Sequence, residues 1–207
     1  MNWIKEQFSL MGRFLGGGFR RTLVMCAVGL ALAAVAGFGI GVMLPQRAAQ
    51  VLGDFMAQIQ ESGVISEEGA LSVAGMLMNN WRAMLVSAAY GFVPFLFLPV
   101  ISLVMNGLLL GLLAGLFQAE GTSLLVYAAG ILPHGIFELP ALLFSVACGV
   151  TLCVNMCRIV TGNPEKRPLL EMLEDLLRVM VLAVAPLTVA AAFVECYITP
   201  VIMGAVM

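Results

Sequence analysis

Pro133-His134-Gly135-Ile136-Phe137-Glu138-Leu139-Pro140-Ala141 holds the only histidine of the chain, two prolines, a glycine and a carboxylate, with apolar sequence on both sides. Leu124 to Leu132 lies upstream and Leu142 to Cys157 downstream. Proline and glycine interrupt regular structure, so Pro133-x-Gly135 predicts the end of one helix and the start of another. Pro140 then falls in the first turn of the second helix, where a missing N–H costs little. A break at membrane depth is tolerated only where protein or water covers the freed backbone groups. The stretch therefore reads as a buried hinge or as the lining of a cavity.

The membrane reading comes from composition. The chain is 61% hydrophobic and 11% charged, with a mean hydropathy of +1.03. Soluble domains carry roughly 25% charged residues. Four or five apolar blocks approach or exceed the ~20 residues needed to cross a bilayer. The net charge of −2 says nothing about nucleic acid, but there is no basic stripe, and no nucleic-acid partner is expected.

PHGIFELPA at 133–141 resembles the signature of the stage II sporulation protein M family. Asn106-Gly107, inside the preceding apolar block, and Glu195-Cys196-Tyr197-Ile198-Thr199-Pro200, similar to an E-x-Y-x-T-P ending, agree with it. The resemblance runs from about Arg20 to Pro200. It implies a polytopic membrane protein. In endospore formers a member works with cell-wall hydrolases at the septum, so the resemblance also implies protein partners of that kind. The motif residues it singles out are Asn106, Gly107, Pro133, Gly135, Pro140, Thr199 and Pro200.

In chain order, residues 1–21 carry Lys5, Arg13, Arg20 and Arg21 and precede an apolar block too long for a cleaved signal. Gly16-Gly17-Gly18 should interrupt any helix there; Trp3, Ile4, Phe8, Leu10 and Met11 form either a membrane-surface face or a partly ordered tail. The first span is about Thr22 to Leu44, with Ala33, Gly37 and Gly41 on one face for close helix packing. Residues 46–81 read as two amphipathic helices outside the membrane. The first carries Val51, Leu52, Phe55, Met56 and Ile59, Ser62-Gly63 breaks it, and Ser66 caps the second with Glu67 and Glu68 in its first turn.

Ala83 to Phe117 is too long for a single span and predicts two, turning near Asn106-Gly107, with Pro94 and Pro99 kinking the first. Leu124 to Leu132 becomes a half-helix or re-entrant piece before Pro133. A span from Glu138 to Cys157 follows. Residues 158–178 form a charged segment whose helix starts at Asn163-Pro164 and carries Leu169, Leu170, Leu173, Leu176 and Leu177. The last span is about Val179 to Ile202. The expected fold is an all-α integral membrane bundle of about five spans, a single domain over residues 1–207.

Basic residues set the orientation. Arg158, Lys166, Arg167 and Arg178 match the cluster at the N-terminus, whereas the 46–81 segment has Arg47 against Asp54, Glu61, Glu67 and Glu68. This predicts a multi-pass plasma-membrane protein with the N-terminus and the 158–178 loop inside and the C-terminus outside.

Chemistry-bearing residues are few. Cys26, Cys148, Cys153, Cys157 and Cys196 lie in predicted spans and read as small packing residues, with no sign of disulfides. His134 and Glu138 are four apart, but no H-E-x-x-H, nucleophile–base set or phosphate loop appears, so no enzyme, metal or cofactor is expected. Span direction places His134, Glu138 and Glu195 together in the outer half, with Asn106 apart. Two carboxylates in a low-dielectric site need counter-charge nearby: a cation, a proton or His134. The cluster reads either as a polar anchor for the hinge or as a proton or solute path. The corresponding functions are a non-catalytic scaffold or assembly factor for a membrane or envelope complex, as a monomer or a homo-oligomer, and alternatively a small-solute or ion transporter.

Overall fold

A computed structural model describes residues 2–61 and 72–206, and among these the chain is helical with no strand. Four helical segments, Asn2–Met43, Leu98–Ala119, Leu124–Val160 and Leu169–Val206, are long and apolar enough to cross a membrane. Helix α1 (Asn2–Phe14) joins α2 (Arg20–Met43) through a wide turn in which Gly17 leaves helical geometry at ψ −144°, the interruption expected of the triple glycine. Helix α3 (Pro45–Glu61) follows, and α4 (Val73–Ala89) is capped by Ser72, whose hydroxyl accepts from the Gly75 N–H at 3.1 Å. The Ser62-Gly63 break and the Ser66 cap lie outside the described residues.

The 35-residue apolar block turns earlier than expected. Tyr90–Phe92 forms one 3₁₀ turn, an irregular stretch follows, and α5 (Leu98–Ala119) then runs unbroken through Asn106-Gly107. Asn106 stays helical because its Nδ2 donates to the Ser102 carbonyl of its own helix at 2.8 Å. Gly107 serves packing instead of a turn. Its missing side chain leaves room for Leu30 and Ala33 of α2. Gly111 meets Ala34 and Phe38, and Gly115 meets Phe38 and Gly41. The numbers rise in step, so α2 and α5 run parallel with their main chains in contact. Small residues on both faces permit this, and close van der Waals packing is what holds helices together in lipid. Ala33, Gly37 and Gly41 are the α2 side of that seam.

Pro94 sits in the corner and Pro99 in the first turn of α5; neither kinks a span. Phe95 and Phe97 adopt left-handed φ values of 67° and 47°, uncommon for aromatic residues. Two cysteines hold this corner. The Cys153 thiol donates to the Val93 carbonyl at 3.3 Å, and the Phe95 N–H donates to Cys157 Sγ at 3.1 Å. Cys153 and Cys157 therefore do more than fill space. All five cysteines are free.

Helix α6 (Leu124–Val160) spans 37 residues and passes through both Pro133 and Pro140. The predicted break is absent, and the supposed half-helix is simply its first turns. Proline's φ fits a helix; its cost is the lost N–H, which leaves the carbonyls of Ala129 and Ile136 without their usual partners. Tertiary packing, which supplies most helix stability in proteins, carries the helix through. Contacts of Ser145 with Met84, Gly149 with Ser87 and Cys153 with Val93 make α4 parallel to α6.

Helix α7 (Leu169–Val179) begins at Pro168. Asn163-Pro164 caps only a turn: the Glu165 N–H donates to Asn163 Oδ1 at 2.8 Å, and no helix follows until Leu169. The residue before a proline is pushed away from helical geometry, and Arg167 accordingly stays outside the helix that Pro168 precedes. The buried face of α7 is Met172, Leu176 and Val179; Leu170 and Leu177 point outward. The helix continues as α8 (Ala185–Phe193) and α9 (Thr199–Val206), each preceded by a π-helical turn, Met180–Val184 and Val194–Ile198. Each wide turn ends just before Ala185-Pro186 or Thr199-Pro200. A proline cannot donate to the carbonyl four residues back and its ring crowds that carbonyl, so the preceding turn widens.

Candidate functional site

The buried stripe of α6 carries polar groups at both ends. At the first end, His134 is 8% exposed, and its Nδ1 lies 3.3 Å from the Thr199 hydroxyl at the start of α9. Its Nε2 faces Glu138 Oε2, one turn on, at 4.0 Å. Glu195 comes from the π-helical turn ahead of Pro200. One ligand atom each from His134, Glu138 and Glu195 lie within 4.8 Å of one another. Chain direction explains the meeting: Gly130 lies near Met203 and His134 near Thr199, so the two helices are antiparallel and their facing turns pair in reverse order.

Of the other motif residues, Thr199 joins this cluster through His134, and Pro200 shapes the turn that carries Glu195. Gly135 is buried beside Ile131. Pro133 and Pro140 flank His134 and Glu138 within α6. Asn106 is apart, bonded within α5, and Gly107 belongs to the α2–α5 seam.

At the other end of α6, Asn155 is 1% exposed and uses its whole amide: Nδ2 donates to the Arg167 carbonyl at 3.1 Å, and Oδ1 accepts the Arg167 N–H at 2.8 Å. The Arg167 guanidinium reaches Asp175 at 2.7 Å and stands over the Phe14 ring at 5.8 Å. Arg178 bonds Asp175 at 2.8 Å and Gln7 of α1 at 2.8 Å. This network ties α1, α6 and α7 around a cavity of about 590 Å³ whose mixed lining includes Arg13, Asn155 and Arg158. Sequence reading missed it; the available signal was Asn155, an amide in an otherwise apolar run next to a charged loop.

Between the two ends the stripe is closed and, apart from Ser145, apolar. Ala141, Val146, Ala147 and Cys148 are each 0% exposed, and the buried Ser145 hydroxyl donates to the Met84 carbonyl.

The chain matches the family model described as Stage II sporulation protein M over residues 22–200. An uncharacterized protein of Methanocaldococcus jannaschii is 34% identical over 125 residues, covering 60% of this chain and 69% of its own. No solved structure matches the chain. The match contains PHGIFELPA, the α2–α5 seam and the Glu195-to-Pro200 ending, and this membrane protein belongs to the stage II sporulation protein M family.

Proposed function

We propose that the protein is a non-catalytic scaffold or assembly factor of the plasma membrane, crossing it five times with its N-terminus inside and its C-terminus outside. The observation that carries the scaffold reading is the closed centre of α6. Fully buried apolar side chains separate the polar cluster at His134 from the cavity at Asn155, which leaves the transporter reading without comparable support.

The topology rests on the parallel pairs. Two helices that run the same way need a return between them, and α4, parallel to α6, supplies it. At 17 residues it covers about 25 Å, and the corner at Tyr90–Phe97 adds to that reach. The basic residues of α1 and of the α6–α7 connection gather at one end, bonded through Gln7 and Arg178, which fits a cytoplasmic face. Helix α3 then lies outside, its residues Val51, Phe55 and Met56 exposed, and is the surface for an extracytoplasmic protein partner such as a cell-wall hydrolase.

Two experiments test this. In a cysteine-free background, Asp54→Cys and Lys166→Cys should label from opposite sides of sealed vesicles; labelling from one side defeats the topology. A photo-cross-linker at position 55 should capture an envelope hydrolase, and proteoliposomes should show no solute or ion flux. Flux that disappears in Glu138→Gln or Glu195→Gln would replace the scaffold with a transporter.

A further inference from the structure

We infer that His134, Glu138 and Glu195 form a binding site for one divalent transition-metal ion of the zinc or manganese type. One imidazole nitrogen and two carboxylate oxygens suit those ions; magnesium and calcium prefer all-oxygen shells, and copper(I) prefers sulfur. The three ligand atoms lie within 4.8 Å of one another. With bonds about 2.1 Å long, neighbouring ligands of a tetrahedral ion sit about 3.4 Å apart. Side-chain adjustment of about 1 Å closes that gap without moving either helix.

The imidazole carries the independent argument. The His134 side chain is 11% exposed, and Thr199 occupies its Nδ1. Its Nε2 is aimed at the carboxylates, yet 4.0 Å from Glu138 is beyond hydrogen-bond length. A ligating histidine characteristically anchors its other ring nitrogen on an oxygen, and Thr199 stands in that place. The Glu138 side chain is 31% exposed, so the cluster is not sealed within the protein. The ion would neutralise the two carboxylates and clamp α6 to the helix that continues into α9. The π-helical turn at Val194–Ile198 is the device that swings Glu195 into reach, and such turns recur at functional sites.

The test uses the full chain in detergent, stripped with chelator, titrated with ZnCl2, MnCl2, MgCl2 or CaCl2, and followed by calorimetry, elemental analysis and melting temperature. Zinc should bind at one equivalent, more tightly than manganese, and raise the melting temperature. Glu138→Gln, Glu195→Gln and His134→Gln should each abolish the stoichiometric binding while eluting as the native species. Thr199→Val, which keeps all three ligands, should weaken binding by about 10- to 100-fold. Cys196→Ser should leave it unchanged. The inference is overturned by absence of saturable zinc or manganese binding in the wild type, by binding that survives Glu195→Gln, by loss on Cys196→Ser alone, or by a preference for magnesium or calcium.

Discussion

At the Val160 end of α6, Arg158, Arg167 and Arg178 each face a carboxylate; at the Leu124 end, Glu138 and Glu195 share a single imidazole. The first arrangement is complete at Asp175 and Asn155. Asp175 takes one guanidinium on each oxygen, at 2.7 and 2.8 Å, and both polar atoms of Asn155 are bonded. The second brings two carboxyl groups to one imidazole, with no guanidinium or amine paired to them among the described residues. Buried polar groups stabilise a fold only when every member is satisfied, and a half-satisfied group is a standing cost. A complete network should therefore suffer from any deletion, whereas an incomplete one should tolerate loss of a charge and respond to an added cation.

The largest expected effect is at the complete end. Asn155→Leu keeps the volume but strands the Arg167 N–H and carbonyl, and should cost about 3 kcal/mol in unfolding measured in detergent. Zinc binding at the opposite end should be unchanged. A silent substitution would show that the Asn155 bonds do not hold α6 to the α7 connection. Asp175→Ala comes next. It leaves two guanidinia without their shared acceptor, but Arg167 is 39% exposed and water offsets part of the loss. About 2 kcal/mol is expected, and less at high salt, where the pairs of the intact protein are already weakened.

At the incomplete end the same chemistry should give the opposite result. With metal stripped, Glu138→Gln and Glu195→Gln each remove one of two like charges and keep the shape. Their stability should stay within about 1 kcal/mol of the parent, in either direction. Glu138→Ala also deletes the side chain and should lie below the glutamine variant. If Glu138→Gln unfolded the metal-free protein, the carboxylate would be a structural acceptor, and the contrast between the two ends would fail.

The sequence made some of this readable. The direction of two helices separated by 57 positions, Glu138 to Glu195, was enough to place their carboxylates at one end, because an antiparallel pair has only one way to meet. The spacing of Ala33, Gly37 and Gly41 exposed a packing face for the same reason: helical period needs no tertiary information. The misreadings share a cause. Asn106-Gly107, Pro133-x-Gly135 and Asn163-Pro164 all carry local signals of interruption, and only the last produces even a turn. Asn106 satisfies itself on Ser102, Gly107 is spent on contact with α2, and α6 runs unbroken through Pro133. Such outcomes depend on the neighbour across the contact, which single-chain periodicity does not contain. The true corner at Tyr90–Phe97 depends on thiols 60 or more residues away, a pairing no local pattern encodes.

The smallest effect grades the complete end by burial. Arg158 and Glu165 approach at 3.1 Å, a separation comparable to the Arg167–Asp175 pair. Yet the Glu165 side chain is 71% exposed, against 15% for Asp175. Water and salt screen an exposed pair, and ordering two long side chains offsets most of the remaining attraction. Glu165→Gln should therefore change stability by less than about 0.5 kcal/mol, and by still less at high salt. Asp175→Asn, an equally conservative change, should cost several times more, because Asp175 neutralises two guanidinia in a setting water reaches poorly. If both substitutions cost the same, distance and not burial would rank these pairs. The network at the Val160 end of α6 would then be a set of independent surface contacts, and its contrast with the carboxylates at Glu138 and Glu195 would rest on charge count alone.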